Sequence, residues 1–470
     1  MDRTASLDIA FNPRSVAVAG VGPETTGRLY VESLRRTGFA GEVYPLHPKG
    51  GEIDGLKVYA GLAQVPGPVD LVISCVPAHL VPQLLRDCSE KGVKVLSMFT
   101  SGFSELGTEE GRRLEAEIVR LARAGGVRLI GPNCMGIYCP AGGLSFVFDF
   151  PRDRGSVALV CQSGGHTIYF VRAAARRGIR FSKVVSYGNA CDVDETDLLE
   201  YLTDDADTDI VTAYIEGVKD GDRFFRVLKR LSVRKPVAVL KGGTTETGAR
   251  TAASHTGSMV GSREVWEGLL RQAGAIQVDT LEELIDIAVT FRFMRLPRGR
   301  RMAMVAGGGG ASVLATDTSV ASGFTMPAVP GAVAEEIRRS LPTEAGAVVS
   351  NPVELNMSPE SSYTIASSLL KADAYDMLLG HCVFGQPPWP VFNPWYDLVC
   401  DTVTSVHRDV DKPVAIILES DVPGESEWYL GLEGRYWEAG IPVYHSVAGA
   451  CRAIDRFMRH REARGPAAGH

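Results

Sequence analysis

A single histidine, His255, lies in a long stretch of mostly small residues, from 241 to 261, that follows a short apolar run. Imidazole can act as a nucleophile near neutral pH and can then serve as a leaving group. Glycine, serine, threonine and alanine offer little apolar surface for packing a structural histidine, and they suit a loop that comes close to a ligand. From the residues alone, the functional and the structural interpretations of His255 remain equally open.

A glycine turn made of Gln162, Ser163, Gly164 and Gly165 follows a second apolar run and precedes a predicted helix. Backbone N–H groups at the start of a helix attract anions, and small residues let a phosphate come close to them. An ordinary strand-to-helix turn would have a similar sequence. We expect His166, which comes directly after the turn, to be a packing residue.

A less regular glycine turn near the start of the chain contains Gly20, Gly22 and Gly27. It is not a clean G-x-G-x-x-G, so it is only a weak match to a dinucleotide site. The next predicted strand runs into Lys49, where a site for NAD places an acidic residue that binds the ribose. A cation at this position favours a ligand with further phosphates, such as coenzyme A or NADP. An ordinary surface lysine is the alternative.

The segments around these turns share one pattern, an apolar run followed by a glycine-rich turn and an amphipathic helix. Continuous apolar runs are typical of strands buried on both faces, as in parallel sheets. The pattern recurs at 20–27, 163–165 and 307–310 and predicts an α/β protein of three doubly wound domains, one Rossmann-like and two flavodoxin-like. Ligands of such sheets bind at the carboxyl ends of the strands, which is where these turns lie.

Clusters of proline and glycine near 140–154 and 296–300 suggest the domain boundaries. The predicted parts are a first domain at 1–140, a second at 150–297, a third at 300–460 and a flexible tail at 461–470.

The composition narrows the function classes. A net charge of −7 argues against a nucleic-acid or anionic-membrane partner, because both require a basic surface. No apolar run approaches the roughly 18 residues of a membrane span, and the first ten residues lack the apolar core of a signal peptide. The nine cysteines are an odd number without a CxxC pair. We therefore expect a cytoplasmic protein with free thiols. We assign no residue to a metal site.

Taken together, these segments resemble the α subunits of ADP-forming acetate–CoA ligases, which are relatives of succinyl-CoA synthetase. The resemblance extends over roughly residues 8 to 458. It rests on the order and spacing of motifs across all three predicted domains, among them Val43-Tyr-Pro-Leu-His-Pro-Lys49, Val69-Asp-Leu-Val-Ile-Ser-Cys-Val-Pro-Ala78, Gly131-Pro-Asn-Cys-Met-Gly136, Gln162-Ser-Gly-Gly165, Tyr214-Ile-Glu-Gly217, Ser254-His-Thr-Gly257 and Asn351-Pro-Val-Glu354.

The resemblance implies an acyl-CoA synthetase that works through an acyl phosphate and a phosphohistidine. His255 would take the phosphoryl group and pass it to ADP, Glu216 would hold the imidazole, and the Gln162–Gly165 turn would cradle the phosphate. The first domain would bind coenzyme A, and the residues that we assign to this site are Gly20, Gly22, Gly27, Lys49, Val76, Pro77, Ala78 and Asn133.

The sequence shows neither an ATP-grasp domain nor a G-x-x-x-x-G-K-[ST] loop. We therefore expect ATP or ADP, with Mg²⁺, to bind to a separate ATP-grasp β subunit in a hetero-oligomer. The other partner is a small carboxylic acid.

Some positions depart from the family pattern. The first glycine turn and the third-domain glycine run are untypical, and Cys161 and His166 stand where a serine and an apolar residue are expected. These departures leave open a ligase that passes the acyl group to an amine or another acceptor. The remaining alternatives are a CoA-binding regulatory protein and a nicotinamide oxidoreductase. Lys49 argues against the oxidoreductase, and the retained His255 and Glu216 argue against the regulatory protein.

Overall fold

The computed structural model describes residues 3–248, 262–306, 309–343, 348–354, 361–384, 393–420 and 427–464. The chain forms two compact units, one of Met1–Arg172 with Arg180–Leu284 and the other of Ala173–Ile179 with Ile285–His470. His255 lies outside the described residues, as do Gly307 and Gly308 of the third glycine run.

The first sheet is built by the N-terminal part of the chain. Its strands and the adjacent hairpin are β1 (Ser15–Ala19), β2 (Glu42–Leu46), β3 (Gly51–Ile53), β4 (Leu56–Val58), β5 (Leu71–Ser74), β6 (Val95–Met98) and β7 (Arg128–Ile130). The helices are α1 (Arg3–Phe11), α2 (Thr26–Thr37), α3 (Val81–Lys91) and α4 (Glu109–Gly125). The order β2-β1-β5-β6-β7 is parallel throughout, and β3 and β4 form a separate antiparallel pair.

The second sheet has six strands in the same unit. They are β8 (Gly136–Tyr138), β9 (Arg154–Cys161), β10 (Phe181–Ser186), β11 (Ile210–Ile215), β12 (Val237–Lys241) and β13 (Ile276–Val278). The described helices are α5 (Gly164–Arg176), α6 (Glu195–Asp204), α7 (Gly221–Arg234), α8 (Arg263–Ala273) and α9 (Leu281–Phe293). The order is β13-β12-β11-β9-β10-β8, parallel except for β8, which runs antiparallel to β10.

The third sheet belongs to the second unit. Its strands are β14 (Met302–Ala306), β15 (Val348–Val349), β16 (Val353–Glu354), β17 (Met377–Phe384), β18 (Val414–Ser420) and β19 (Val443–Tyr444). The described helices are α10 (Gly309–Ala321), α11 (Gly331–Ser340), α12 (Ser362–Lys371), α13 (Asn393–Asp409), α14 (Glu427–Glu438) and α15 (Val447–Arg464). The order is β15-β16-β14-β17-β18-β19, with only β15 antiparallel to its neighbour.

The short 3₁₀ turns are Leu62–Gln64, Ala78–Leu80, Ser104–Leu106 and Pro140–Gly142.

The continuous apolar runs of the sequence are strands covered on both faces. Every residue of β1, β5 and β6 is buried. Leu85 of α3 and Ile118 of α4 pack in the same core cluster as Val72 and Leu96 of the sheet. Full burial of one such side chain stabilises the fold by about 1.5–3 kcal/mol, so each of these buried strand residues contributes to the stability of the sheet.

The predicted α/β class with three doubly wound sheets is confirmed. Two details bear on the predicted domain limits: β8 lies within 1–140 but pairs with the second sheet, and α15 continues into the predicted tail as far as Arg464. Among the described residues, no helix is both long enough and apolar enough to cross a bilayer.

A buried ion cluster joins the first sheet to the helices of the second. Arg128 of β7 donates to Asp192 and Asp197, each at 2.7 Å. Arg223 of α7 also donates to Asp197, at 2.6 Å, and the Asp197 side chain is only 2% exposed. One carboxylate therefore satisfies two guanidinium groups that come from different parts of the first unit.

Replacement of Asp197 by alanine is expected to lower the free energy of unfolding by about 1.5–3 kcal/mol, because two guanidinium groups lose a charged hydrogen-bond partner, while Asp192 still pairs with Arg128 and Glu200 with Arg223. Asp204 is a control on the same helix: it pairs with Arg234 at the surface, and its side chain is 68% exposed. Asp204→Ala is expected to cost at most about 1 kcal/mol. Urea titration of both variants measures the difference, and equal losses would contradict the buried cluster.

Candidate active site

The first glycine turn lies where β1 ends, at the carboxyl edge of the first sheet. A Cβ on Gly20 would come within 2.8 Å of the carbonyl oxygen of Cys75, and a Cβ on Gly27 within 2.7 Å of that of Gly20. The Thr25 hydroxyl closes the turn, because it donates to the Gly20 carbonyl and accepts from the N–H of Gly22, both at 2.8 Å. Backbone packing alone therefore requires glycine at 20 and 27, and a role of the turn in binding coenzyme A remains a prediction.

Lys49 comes shortly after β2, whose carboxyl end lies at the same edge of the first sheet as that of β1. The register pairs Ala19 with both Leu46 of β2 and Ser74 of β5, so the residues after these strand ends lie side by side. Lys49 is exposed, and its backbone N–H donates to Nδ1 of His47 at 3.3 Å. The chain therefore brings Lys49 to this edge of the sheet, and its contact with a phosphate of coenzyme A remains a prediction.

The turn of Val76, Pro77 and Ala78 after β5 adjoins the loop after β6. Thr100 donates its hydroxyl to the carbonyl of Val76 at 2.8 Å, and a Cβ on Gly102 would come within 3.1 Å of the Ala78 Cβ. Loop 99–102 therefore connects the predicted CoA edge with the second domain's site described next.

The second glycine turn links β9 to the start of α5. Ser163 caps the helix, because its hydroxyl accepts from the N–H of His166 at 3.3 Å. A Cβ on Gly164 would lie within 2.8 Å of Cγ of Met135, whereas a Cβ on Gly165 would meet open space. The packing of the described residues does not require glycine at 165, and the backbone there faces free space at a helix start, as an anion site requires.

Gln162, only 4% exposed, ties this turn to the end of β11. Its Oε1 accepts from the backbone N–H of Glu216 at 2.9 Å and from the hydroxyl of Tyr187 at 3.5 Å. The side chain of Gln162 therefore positions Glu216 relative to the glycine turn.

The Glu216 carboxylate is fixed by a neighbour two residues earlier. Tyr214 donates its hydroxyl to Oε1 at 3.1 Å. Burial, and then the charge of Glu216, raise the pKa of Tyr214, so its hydroxyl remains a donor at any working pH. A Cβ on residue 242 would lie 2.7 Å from this hydroxyl, which explains Gly242. One carboxylate oxygen is thereby held, and a contact of the carboxylate with an imidazole remains a prediction.

Lys241, the last residue of β12, supports the backbone of Glu216 from the other side. Its ammonium group donates to the carbonyl of Glu216 at 2.8 Å and to that of Gly242, and it lies 5.2 Å from the ring centre of Trp266. Burial lowers the pKa of Lys241 to about 8. Lys241 therefore holds the backbone on which Glu216 is placed.

These groups surround a cavity of about 490 Å³, within the range of about 300–1,000 Å³ for ligand pockets. The second domain contributes Gln162, Ser163, Gly164, Gly165, His166, Gly188, Asn189 and Glu216. The first domain contributes Phe99, Ser101, Asn133, Cys134 and Met135. The cavity therefore brings the predicted phosphate turn and Glu216 together with two loops of the predicted CoA domain.

The two domains meet at a seam, formed by residues 129–135 against 187–193. Backbone N–H groups of Asn189, Cys191 and Val193 donate across it at 3.0–3.1 Å. A Cβ on Gly188 would overlap the carbonyl oxygen of Pro132, so only glycine fits there. The seam fixes the spacing between the two walls of the cavity.

The structure thus groups part of the predicted site and separates the rest. Glu216, the four residues of the glycine turn and Asn133 line one cavity. Gly20, Gly22, Gly27, Lys49 and the turn 76–78 lie along the carboxyl edge of the first sheet. His255 is outside the described residues, and its role remains a prediction.

The two positions that depart from the family pattern behave differently. Cys161 is buried, donates its Sγ to the carbonyl of Ser163 at 3.2 Å, and has its pKa raised to about 12 by burial, so it is a structural thiol. His166 is half-buried and lines the cavity, with its ring centre 4.8 Å from that of Tyr214. His166 therefore both packs against Tyr214 and forms part of the cavity wall.

A buried carboxyl beside this region gives the fold a pH dependence. Glu195, 2% exposed at the start of α6, has its pKa raised from 4.5 to about 8 by burial and then by the neighbouring Asp194. Between these values the folded chain holds a proton that the unfolded chain releases. Stability contributed by Glu195 is therefore complete below pH 4.5 and is lost as the pH rises to about 8.

Replacement of Glu195 by glutamine is expected to remove this loss. The difference in free energy of unfolding, Glu195→Gln minus the unmodified chain, should increase by about 1.4 kcal/mol per pH unit between pH 4.5 and 8. Above pH 8 this difference should stay constant. Urea titrations from pH 5 to 9 measure it, with the exposed Glu90→Gln as a control that should show no trend. A pH-independent difference would contradict a buried, protonated Glu195.

Three family models match the chain: the CoA binding domain at residues 14–140, the succinyl-CoA ligase like flavodoxin domain at 154–291, and the Ligase-CoA domain at 302–449. The α subunit of ADP-forming acetate–CoA ligase II from Pyrococcus furiosus is 39% identical over 381 residues, which cover 80% of this chain and 82% of the relative. The chain belongs to this ligase family.

Other members of the ligase family extend the match. The structure of dinucleotide-forming acetyl-coenzyme A synthetase 1 from Ca. Korarchaeum cryptofilum, in complex with phosphate and ADP, superposes with a TM-score of 0.81 and 32% identity over 97% of both chains. A trans-feruloyl-CoA synthase from an unknown prokaryotic organism is 31% identical over 96% of this chain and 64% of its own, longer sequence. The family that the motifs indicated is confirmed.

Sequence reasoning missed several residues of this ligase-family site. Tyr214 lies near the end of β11, two residues before Glu216, and in extended backbone a spacing of two puts side chains on the same face. Asn189 donates to Glu105 and Glu115 of the first domain at 2.6 and 2.9 Å, a contact that no local pattern reveals.

Proposed function

We propose that the chain is the α subunit of a nucleoside-diphosphate-forming acyl-CoA synthetase, which interconverts carboxylic acid, CoA and ATP with acyl-CoA, ADP and phosphate. The observation that carries this proposal is the cavity, in which a helix-start glycine turn and a held carboxylate face two loops of a CoA-binding domain. An acyl group, a phosphate and a thiol would meet in that space.

The first step in the direction of ATP formation is acyl transfer from CoA to phosphate. An oxygen of phosphate attacks the thioester carbonyl carbon, the C–S bond breaks, and CoA leaves as the thiolate. The N–H groups around Gly165 would hold the phosphate through charge-assisted hydrogen bonds. Phosphate then stays in place as the acyl phosphate forms.

The second step moves the phosphoryl group to His255. A ring nitrogen attacks phosphorus, the bond to the acyl oxygen breaks, and the carboxylate leaves. Glu216 would accept a hydrogen bond from the other ring nitrogen, which fixes the tautomer and stabilises the positive charge of the ring. The phosphoryl group then passes from His255 to ADP.

Coenzyme A would bind along the carboxyl edge of the first sheet. Lys49 would meet one of its phosphates, and the turn 76–78 would line the path toward loop 99–102 and the cavity, where Asn133 lies. In this arrangement the thiol reaches the cavity from the first domain, opposite the phosphate turn.

In this proposal the nucleotide binds to a partner subunit. The Pyrococcus furiosus relative is named a subunit α. An ATP-grasp β subunit would bind ATP or ADP with Mg²⁺ and exchange the phosphoryl group with His255. All nine cysteines are free thiols, which fits a cytoplasmic location.

The alternatives have less support. The first domain, which forms one wall of the cavity, matches a CoA-binding model, and this favours CoA as the acyl acceptor. An amine acceptor would need a separate route into the cavity. A regulatory CoA-binding protein would not need the Tyr214–Glu216 hydrogen bond or the open space at Gly165.

The test uses the full chain alone and with its ATP-grasp partner. Titration calorimetry of the chain should give tighter binding of CoA than of NAD. The chain alone should form no acyl-CoA from ATP, acid and CoA, whereas the complex should turn over at an ordinary rate of about 1–1,000 per second. Turnover by the single chain would contradict the division into subunits, and tighter binding of NAD would contradict the CoA site.

A further inference from the structure

We propose that His166 contacts the acyl group and selects a monocarboxylic acid whose chain carries a neutral oxygen substituent, such as a hydroxyl. This inference rests on the proposed function and concerns the identity of its acid. Four observations in the first unit support it.

The first observation is the ring itself. His166 lies on the first turn of α5, next to Gly165, so a group bound at the phosphate turn has this imidazole as its neighbour. Its ring is fixed edge-to-face against Tyr214, with the ring planes 76° apart. Within the described part of the chain, no group hydrogen-bonds to either ring nitrogen. The ring is therefore oriented, half-buried and available to a ligand.

The second observation concerns the other polar side chains of this wall. Gln162 is only 4% exposed, its Oε1 accepts from Glu216 and Tyr187, and it belongs with Ser163 to the turn assigned to the phosphate. Asn189 donates to Glu105 and Glu115, and Glu216 is held by Tyr214 and assigned to His255. Outside the groups assigned to the phosphate and to His255, His166 is a described side chain of this wall with a ring nitrogen available for a new hydrogen bond to the acyl chain.

The third observation is the opposite wall, where Phe99 and Met135 present apolar surface. Met135 is held by its backbone, since its carbonyl accepts from Tyr30 at 2.9 Å and its N–H donates to Ser186 at 3.1 Å. Ser101 and Asn133 line the same wall. An acyl chain placed beside Phe99 and Met135 would have apolar contacts on that side and the imidazole of His166 on the other.

The fourth observation is charge. Among the described residues that line the cavity there is one carboxylate, Glu216, and neither lysine nor arginine. A second carboxylate on the substrate would face Glu216, and no cation among these lining residues would offset the repulsion. A neutral oxygen avoids this repulsion and can still form a hydrogen bond with the imidazole. The geometry therefore favours a hydroxy acid over both a dicarboxylic acid and a plain alkyl acid.

The experiment compares four acids of one chain length in the complex of the chain with its ATP-grasp partner: butyrate, 3-hydroxybutyrate, 4-hydroxybutyrate and succinate. The expected order of kcat/KM places one hydroxybutyrate first and succinate last. In His166→Leu, the ratio of kcat/KM for the preferred hydroxy acid to that for butyrate should fall about tenfold, the effect of one lost hydrogen bond. His166→Gln keeps a donor and should retain part of the preference.

Three results would overturn the inference. They are a wild-type preference for butyrate, a preference for succinate, and an equal loss for all four acids in His166→Leu, which would assign the ring to the phosphate or to the fold. Phosphorylation of the wild-type complex by labelled ATP without any acid is measured in parallel. A complex that is not phosphorylated would contradict the proposed function, whereas normal labelling with the wrong acid preference would contradict only the role of His166.

Discussion

Replacement of His255 by alanine is expected to abolish phosphorylation of the chain by its ATP-grasp partner and to lower acyl-CoA formation by at least about 10⁴-fold. The reason is chemical: removal of a nucleophile from a covalent mechanism leaves only the contribution of binding and electrostatic stabilisation. The open helix start at Gly165 and the held carboxylate of Glu216 would remain, but no ring nitrogen would take the phosphoryl group.

The measurement is labelling with ATP followed by treatment with acid or alkali. Phosphohistidine is labile to acid and stable to base, which separates it from phosphoserine. His79→Ala, at an exposed histidine of the first domain, is the matched control and should label normally. Label that survives acid, or that persists in His255→Ala, would show that another residue carries the phosphoryl group.

Replacement of Glu216 by glutamine is expected to slow phosphorylation of His255 by about 10³- to 10⁴-fold while the affinity for CoA stays unchanged. Glutamine has nearly the same shape and can still accept from Tyr214, but it carries no charge. A carboxylate beside an imidazole favours the charged ring and raises the histidine pKa, so its loss weakens the positive ring that forms during transfer.

Tyr214→Phe is the graded control for this variant. It removes the hydroxyl that holds Oε1 but leaves the carboxylate, so we expect a loss of only about tenfold. Rapid-quench kinetics of labelling, with CoA titration of each variant, separates transfer from binding. Undiminished labelling in Glu216→Gln would remove Glu216 from the site, and a matching loss of CoA affinity would point to a general structural effect.

The fold was accessible from the sequence because its strongest signals are local. The apolar runs at β1, β5 and β9 are continuous because those strands are covered on both faces, and a glycine turn must follow where the backbone of the next strand comes close, as at Gly20. The phosphate turn and Glu216 were found in the same way, each at the end of one predicted strand.

The missed parts of the site depend on contacts between distant segments. The seam pairs 129–135 with 187–193 through backbone hydrogen bonds, which leave no pattern in side-chain polarity. For the same reason His166 could not be assigned to the cavity wall. Its orientation depends on Tyr214, which is 48 positions away in the chain. Tyr214 is on β11, the strand that pairs with β9, and β9 leads into the helix that carries His166.

The seam has an evolutionary consequence. A side chain at position 188 would displace the loop of Pro132, and with it the wall that carries Met135, so this part of the molecule can change only if several residues change together. Phe99, Met135 and His166 carry no such backbone restriction at their side chains. Descendants of this chain that acquire a new acid are therefore expected to differ at these three positions and to inherit Gly188 unaltered.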